Sequence, residues 1–175
     1  MAADDKEILF WHMTKCFKAA VKARKLLLIE FMIEDLDLPL GDQEAFQGML
    51  HMFVYNCQEA EMEKDEDQIE VNRQILRYMV HGFTKEHIDV PDKSNGSTPL
   101  IIACETTKDL VLIEILVDGG SDVNAVNRDN GMPLNIIKAR MKNEPEDEEL
   151  QDIYEYLKRK GAVRDWRKLT KKIDY

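Results

Sequence analysis

One motif occurs twice in the chain, 34 residues apart, and it restricts the fold more than any other feature. Gly96-Ser97-Thr98-Pro99-Leu100-Ile101-Ile102-Ala103-Cys104 returns, without its threonine, as Asn130-Gly131-Met132-Pro133-Leu134-Asn135-Ile136-Ile137-Lys138-Ala139. Self-similarity at such a period marks an architecture in which each unit can bury its apolar face only on the next. Each element of the first copy has a mechanical reason. Thr98 is placed to cap a helix that Pro99 begins. Leu100 and Ala103 point toward neighbouring helices. A second apolar run, Leu110 to Val117, ends at Asp118-Gly119-Gly120, where Gly119 or Gly120 supplies a left-handed cap. Asp122 to Ala125 is then expected to be extended and to lead into the next turn.

These residues resemble the ankyrin repeat, with its G-x-T-P-L turn and first helix, its second apolar helix and its G-A-D-V-N-A-like exit. The second copy continues through Leu150 to Leu157 and ends at Lys160-Gly161-Ala162. Upstream, Gly48-Met49-Leu50-His51-Met52-Phe53-Val54 is similar to the same first helix without its proline. A second helix is expected at Ile69 to Val80, followed by Ile88-Asp89-Val90 in place of the exit. Phe17 to Ala23 and Leu26 to Glu34 read as a degenerate opening unit. The resemblance implies an all-α solenoid of stacked helix–turn–helix pairs with hairpin-like projecting loops. It divides a single domain, 1–175, into repeats near 6–45, 46–92, 93–127 and 128–165, with a basic tail at 166–175.

Periodicity agrees with a helical reading. Cys16, Phe17, Ala20 and Val21, then Leu27, Leu28, Phe31 and Met32, recur in steps of three and four. Such helices are expected to run two to four turns. The 8 glycines and 5 prolines are too few, and the alternating runs too rare, for an all-β chain. No apolar stretch is long enough to span a bilayer. The N-terminus, Met1-Ala2-Ala3-Asp4-Asp5-Lys6-Glu7, lacks the pattern of a secretory signal. Three cysteines, Cys16, Cys57 and Cys104, sit apart among apolar neighbours, which points to reduced, core-packed thiols inside a cell. The expected location is intracellular, cytoplasmic first, with nuclear, cytoskeletal and ciliary settings open because the family is recruited to all of them.

Catalytic patterns are missing. His12, His51, His81 and His87 have no zinc-ligand spacing, and no phosphate loop, G-x-S-x-G elbow or H-E-x-x-H is present. No cofactor, metal or small-molecule substrate is therefore inferred. His51 stands where the family carries a structural histidine. A cysteine-dependent enzyme using Cys57 or Cys104 with His51 remains as a third functional reading.

The net charge of −10 is concentrated. Residues 59–70 hold seven acids against one lysine, and 144–152 hold six acids and no base, so the remainder is net +2. Neither run has the glycine and oxygen spacing of a calcium loop, and both read as solvated inter-helix insertions. Their alternative role is as acidic lips for a basic partner. Two basic features oppose them. Lys15, Lys18, Lys22 and Lys25 share a helix face. Lys158, Arg159, Lys160, Arg164, Arg167, Lys168, Lys171 and Lys172 surround Trp166 and Tyr175.

The resemblance implies a non-catalytic protein–protein interaction module, an adaptor, scaffold or small subunit, that binds another protein through a concave face and turn tips. The expected contacts are Tyr55 and Asn56; Asp92, Lys93, Asn95 and Ser97; Glu105 and Thr106; Asn127, Arg128, Asp129 and Asn130; and Ala139 and Arg140. The alternative is an adaptor for nucleic acid or an anionic surface through the basic tail, although the overall acidity argues against nucleic acid.

Overall fold

A computed structural model describes residues 3–38, 40, 46, 48–165 and 167. The described residues are helical with irregular connections and contain no strand. In chain order the helices are α1 (Ala3–Lys22), α2 (Leu26–Glu30), α3 (Met49–Glu63), α4 (Glu66–Gly82), α5 (Lys85–Ile88), α6 (Pro99–Thr106), α7 (Leu110–Asp118), α8 (Pro133–Asn143) and α9 (Glu148–Arg159). A π-helical turn, Phe31–Asp35, continues α2.

The helices pair as α1 with α2, α3 with α4, α6 with α7 and α8 with α9. The first helices pack side by side in the order α1, α3, α6, α8, and the second helices in the order α2, α4, α7, α9. Each pair buries apolar side chains on its neighbour, as a solenoid requires. Leu100, Ala103 and Cys104 of α6 are fully buried, as are Leu112, Ile113 and Leu116 of α7 or nearly so. At roughly 1.5–3 kcal/mol for each large apolar side chain, the third pair is held mainly by its neighbours and little by its own helix propensity.

Local chemistry sets the helix ends. Thr98 caps α6, its hydroxyl accepting from the Ile101 amide at 3.4 Å, and Pro99 takes the first helical position. The second helix of each of the last three pairs opens on an aspartate. Asp65 accepts from Gln68 N at 3.0 Å, Asp109 from Val111 N at 2.9 Å and Asp147 from Leu150 N at 2.9 Å. The acidic runs thus contain the caps of α4 and α9, with Glu66, Asp67, Glu148 and Glu149 in the positively polarised first turns. Gly120, at φ 108°, is the left-handed residue after α7; Gly119 has an ordinary φ of −71°.

Three expectations are corrected. Helix α1 has 20 residues, longer than four turns, because nothing between Ala3 and Lys22 breaks it. Asp122 to Ala125 is a turn, closed by Ala125 N donating to Asp122 O at 3.1 Å, and not an extended segment. Cys16 is exposed, since it lies one residue and therefore about 100° round the helix from buried Phe17.

Candidate protein-binding surface

The projecting turns are built by side chains that close on their own backbone. Asp92 Oδ1 accepts from the amides of Asn95 (3.0 Å), Gly96 (2.7 Å) and Ser97 (3.2 Å), while Oδ2 accepts from the Ser94 hydroxyl at 2.7 Å. These donors hold the Asp92 carboxyl below the usual range, the Ser94 hydroxyl contributing most. Asn127 has the same role in the following repeat, its Oδ1 accepting from Asp129 N at 3.1 Å and Gly131 N at 2.6 Å. The two turns are then tied together. Asn127 Nδ2 donates to Ser97 Oγ at 3.1 Å, Arg128 N to Asn95 O at 2.8 Å, and the Arg128 guanidinium to the carbonyls of Lys93 (3.2 Å) and Ser94 (2.9 Å).

Two of the expected contacts lie inside this arrangement. Ser97 is 1% exposed and Asn127 is 6% exposed, and both spend their polar atoms inside the turns. Asp92 and Asn95 are half-buried and engaged in the same network. Lys93, Arg128, Asp129 and Asn130 are exposed at the tips. Arg140 is half-buried and donates to the Cys104 and Thr107 carbonyls at 2.8 and 2.6 Å, so it braces α8 against α6. Thr106 is also half-buried and returns its hydroxyl to Ile102 O at 2.9 Å.

Tyr55, Asn56, Glu105 and Ala139 remain open to solvent on the first-helix layer. Met52 lies three residues before Tyr55, Ile102 three before Glu105 and Ile136 three before Ala139, one helical turn away on the same face. Tyr55 is 61% exposed and Met52 42%, with Ile102 and Ile136 partly exposed. Met52, Ile102 and Ile136 lie outside the expected contacts, although the three-residue helical offset from Tyr55, Glu105 and Ala139 points to them. The surface is also acidic. Burial raises the Glu105 carboxyl above its ordinary value, and the charges of Asp92 and Asp129 raise it further. An apolar stripe with three nearby carboxylates suits a partner that brings apolar and basic groups.

The acidic runs are less free than their composition implies. Glu61 accepts from the Thr107 hydroxyl and from Lys108 N at 2.9 Å, and burial lifts its carboxyl above the usual range despite both bonds. Lys108 Nζ in turn meets Glu144 and, at 2.5 Å, Asp147. Glu59 pairs with Arg24 at 3.2 Å. These partners correct the reading of both runs as wholly solvated insertions. The remaining acids, Glu63, Asp65, Glu66, Asp67, Glu70, Glu146, Glu148, Glu149 and Asp152, are exposed.

The other readings gain little from the structure. Cys57 is buried and its thiol is pushed up to about 12, and burial also pushes the Cys104 thiol upward, so neither is a ready thiolate. His51 is buried, with Nε2 3.2 Å from Ser97 O, which ties α3 to the next turn. Among the described residues no group of three or more His, Cys, Asp or Glu is arranged to hold a metal, and no helix is long and apolar enough to cross a membrane. In the basic tail, Lys158 pairs with Glu155 at 3.0 Å, Lys160 with Asp118 at 2.7 Å and Arg167 with Asp165 at 3.3 Å. Trp166, Lys168, Lys171, Lys172 and Tyr175 lie outside the described residues.

In comparison with known proteins, the ankyrin-repeat family model matches residues 95–128. No curated protein and no solved structure matched the chain.

Proposed function

Residues 95–128 being an ankyrin repeat, we propose that the whole chain works as one non-catalytic protein-binding module, an adaptor, scaffold or small subunit inside the cell. The observation that carries this reading is the exposed apolar stripe on the first-helix layer. Met52 and Tyr55 of α3, Ile102 of α6 and Ile136 of α8 hold corresponding positions on adjacent helices, beside the carboxylates of Asp92, Glu105 and Asp129. Those helices are already fixed by burial on both sides, so a partner finds the surface preorganised and binding costs little ordering entropy. Tyr55 is the strongest candidate for an energetic anchor, since tyrosine is enriched among the residues that carry binding energy. The partner on this reading is a protein segment with apolar and basic residues, and the tips at Lys93, Arg128, Asp129 and Asn130 border its path.

The test compares wild type with the Tyr55→Ala, Glu105→Lys double variant as bait in extract from the source cell, followed by mass spectrometry. Both sites are exposed, so circular dichroism and thermal midpoint should be unchanged. Proteins held by wild type should be lost, or weakened at least tenfold when the interaction is titrated with purified components. Undiminished binding of every partner by the folded variant would remove this surface from the reading.

A further inference from the structure

Between the first two helix pairs the surface opens into a cleft of about 220 Å3. Val21, Met52 and Cys57 supply apolar wall, and Lys22 and Arg24 stand among its lining residues. Asn72, on α4, lines it too and is only 2% exposed. The Asn72 carbonyl oxygen accepts from Gln68 Nε2 at 3.2 Å, but its Nδ2 has no acceptor among the described residues. An unanswered buried donor is costly and unusual, and it asks what group completes it.

The charges around the cleft narrow the answer. Its carboxylate, Glu59, is taken by Arg24 at 3.2 Å, and the same guanidinium nitrogen also donates to Asn56 O at 3.2 Å. Lys22 is exposed and has no carboxylate within 4.0 Å among the described residues. The cleft therefore holds more donors than acceptors. What fits is an acceptor carrying negative charge on a short apolar stem. Lys18 and Lys15 continue the positive stripe along α1 from Lys22. The ammonium of Lys15 lies 3.5 Å from the ring centroid of exposed Trp11, with exposed Ile8 a turn further on.

We propose that this cleft is a carboxylate subsite for an acidic, apolar segment of the partner protein. A glutamate or aspartate side chain enters beside Lys22 and Arg24, and the Asn72 amide, closed to solvent in the free chain, turns to donate its Nδ2–H. The flanking apolar residues follow α1 past Lys15 toward Trp11. A second copy of this chain fits poorly in a symmetric contact, since the lysine stripe would then face itself. An anionic bilayer fits poorly as well. Its headgroups cannot enter a cleft of this size as a single side chain can, and Glu34 and Asp35 are exposed on the partner helix of the same pair. The inference rests on the protein-binding reading and adds to it a second subsite of opposite charge preference.

The experiment uses the full chain labelled with nitrogen-15 and a capped synthetic peptide in which glutamates alternate with leucine and phenylalanine. A glutamine-for-glutamate peptide and phosphatidylserine–phosphatidylcholine vesicles are the comparison probes. The glutamate peptide should shift the Asn72 side-chain amide and the Met52 backbone amide. The glutamine peptide should bind about fivefold or more weakly, and Lys22→Glu should weaken the glutamate peptide about fivefold, the range for reversing one exposed ion pair. Asn72→Leu keeps side-chain bulk and removes the donor; it should bind the peptide several-fold less while retaining a dispersed, folded spectrum. Equal binding of the two peptides, peptide shifts that leave Asn72 unmoved, wild-type affinity in Asn72→Leu, or binding to vesicles alone would each overturn the proposal. If the peptide fails while partner capture still depends on Tyr55 and Glu105, the subsite falls and the module reading stands. If Tyr55 and Glu105 prove irrelevant while the peptide still titrates Asn72, the first-helix surface drops out and the subsite stands.

Discussion

The turn between α6 and α7 should be the place where one side chain most affects the whole stack. Asp109 is the residue to change. Its side chain is 6% exposed and accepts four hydrogen bonds. Two come from Arg73, Nε and Nη2, both at 2.9 Å, and two from the Val111 and Leu112 amides at 2.9 and 3.3 Å. Asp109→Ala removes the cap of α7, worth about 1 kcal/mol. It also takes away the main partner of Arg73, which keeps only the half-exposed Glu70 carboxylate at 3.5 Å. Breaking a fully buried pair costs about 3–5 kcal/mol, but the Arg73 side chain is 26% exposed and keeps some water. A discounted figure of about 1–2 kcal/mol is appropriate. The expected loss is about 2–3 kcal/mol, and Asp109→Asn, which keeps a capping oxygen, should lose about half of that. Urea unfolding followed by circular dichroism at neutral pH is the assay. With a slope of about 2 kcal/mol per molar urea, the midpoint should fall by about 1–1.5 M for alanine. The reasoning fails if alanine costs less than about 0.5 kcal/mol. It fails equally if Arg73→Met costs the same in the Asp109→Ala background as in wild type, because the cycle would then show no coupling.

Gly119→Ala should lower stability by about 1–3 kcal/mol in thermal unfolding, since its new Cβ would sit 2.1 Å from Cγ1 of stiff, buried Val80. Ellman's reagent should find one fast thiol in the folded chain, Cys16; Cys57 and Cys104 should react only after urea is added. Burial lowers the His51 pKa from its ordinary 6.5 despite nearby backbone acceptors and Asp92. The unfolded chain therefore takes up this proton first, so the stability contributed above pH 6.5 should be lost as pH falls toward the folded value. His51→Gln should flatten that region of the profile, and an unchanged slope would locate the acid sensitivity elsewhere.

The features of the fold that can be read from the sequence are those specified within one turn of chain. Thr98-Pro99 states a helix start, and the apolar runs of α6 and α7 leave no other face to bury. The extent of α1 is harder to read, because its polar first turn, Asp4 to Glu7, carries no apolar stripe and only the lack of a breaker marks it as helix. The turn contacts mislead for a different reason. Ser97 and Asn127 look like free polar groups until they are found bonded to each other across 30 residues. The acidic runs show the same limit. Composition reveals the charge of Glu61, Glu144 and Asp147, but their common partners, Thr107 and Lys108, lie at sequence separations of 36 to 47. At the candidate surface, motif phase finds Tyr55, Glu105 and Ala139, whereas Asn72 and its unanswered donor depend on packing between helices and leave no trace in a local pattern.

Residues 107–109 carry one more consequence. Glu61 and Arg73 grip this turn from the preceding pair, and Arg140, Glu144 and Asp147 grip it from the following one. In most stacked arrays a whole unit can be spliced in or out, since one interface resembles the next. Here a unit inserted on either side would meet a turn keyed to a particular neighbour and would leave charges stranded on both. The three pairs from α3 to α9 are thereby coupled through one turn, which fixes the distance between the two ends of the candidate surface.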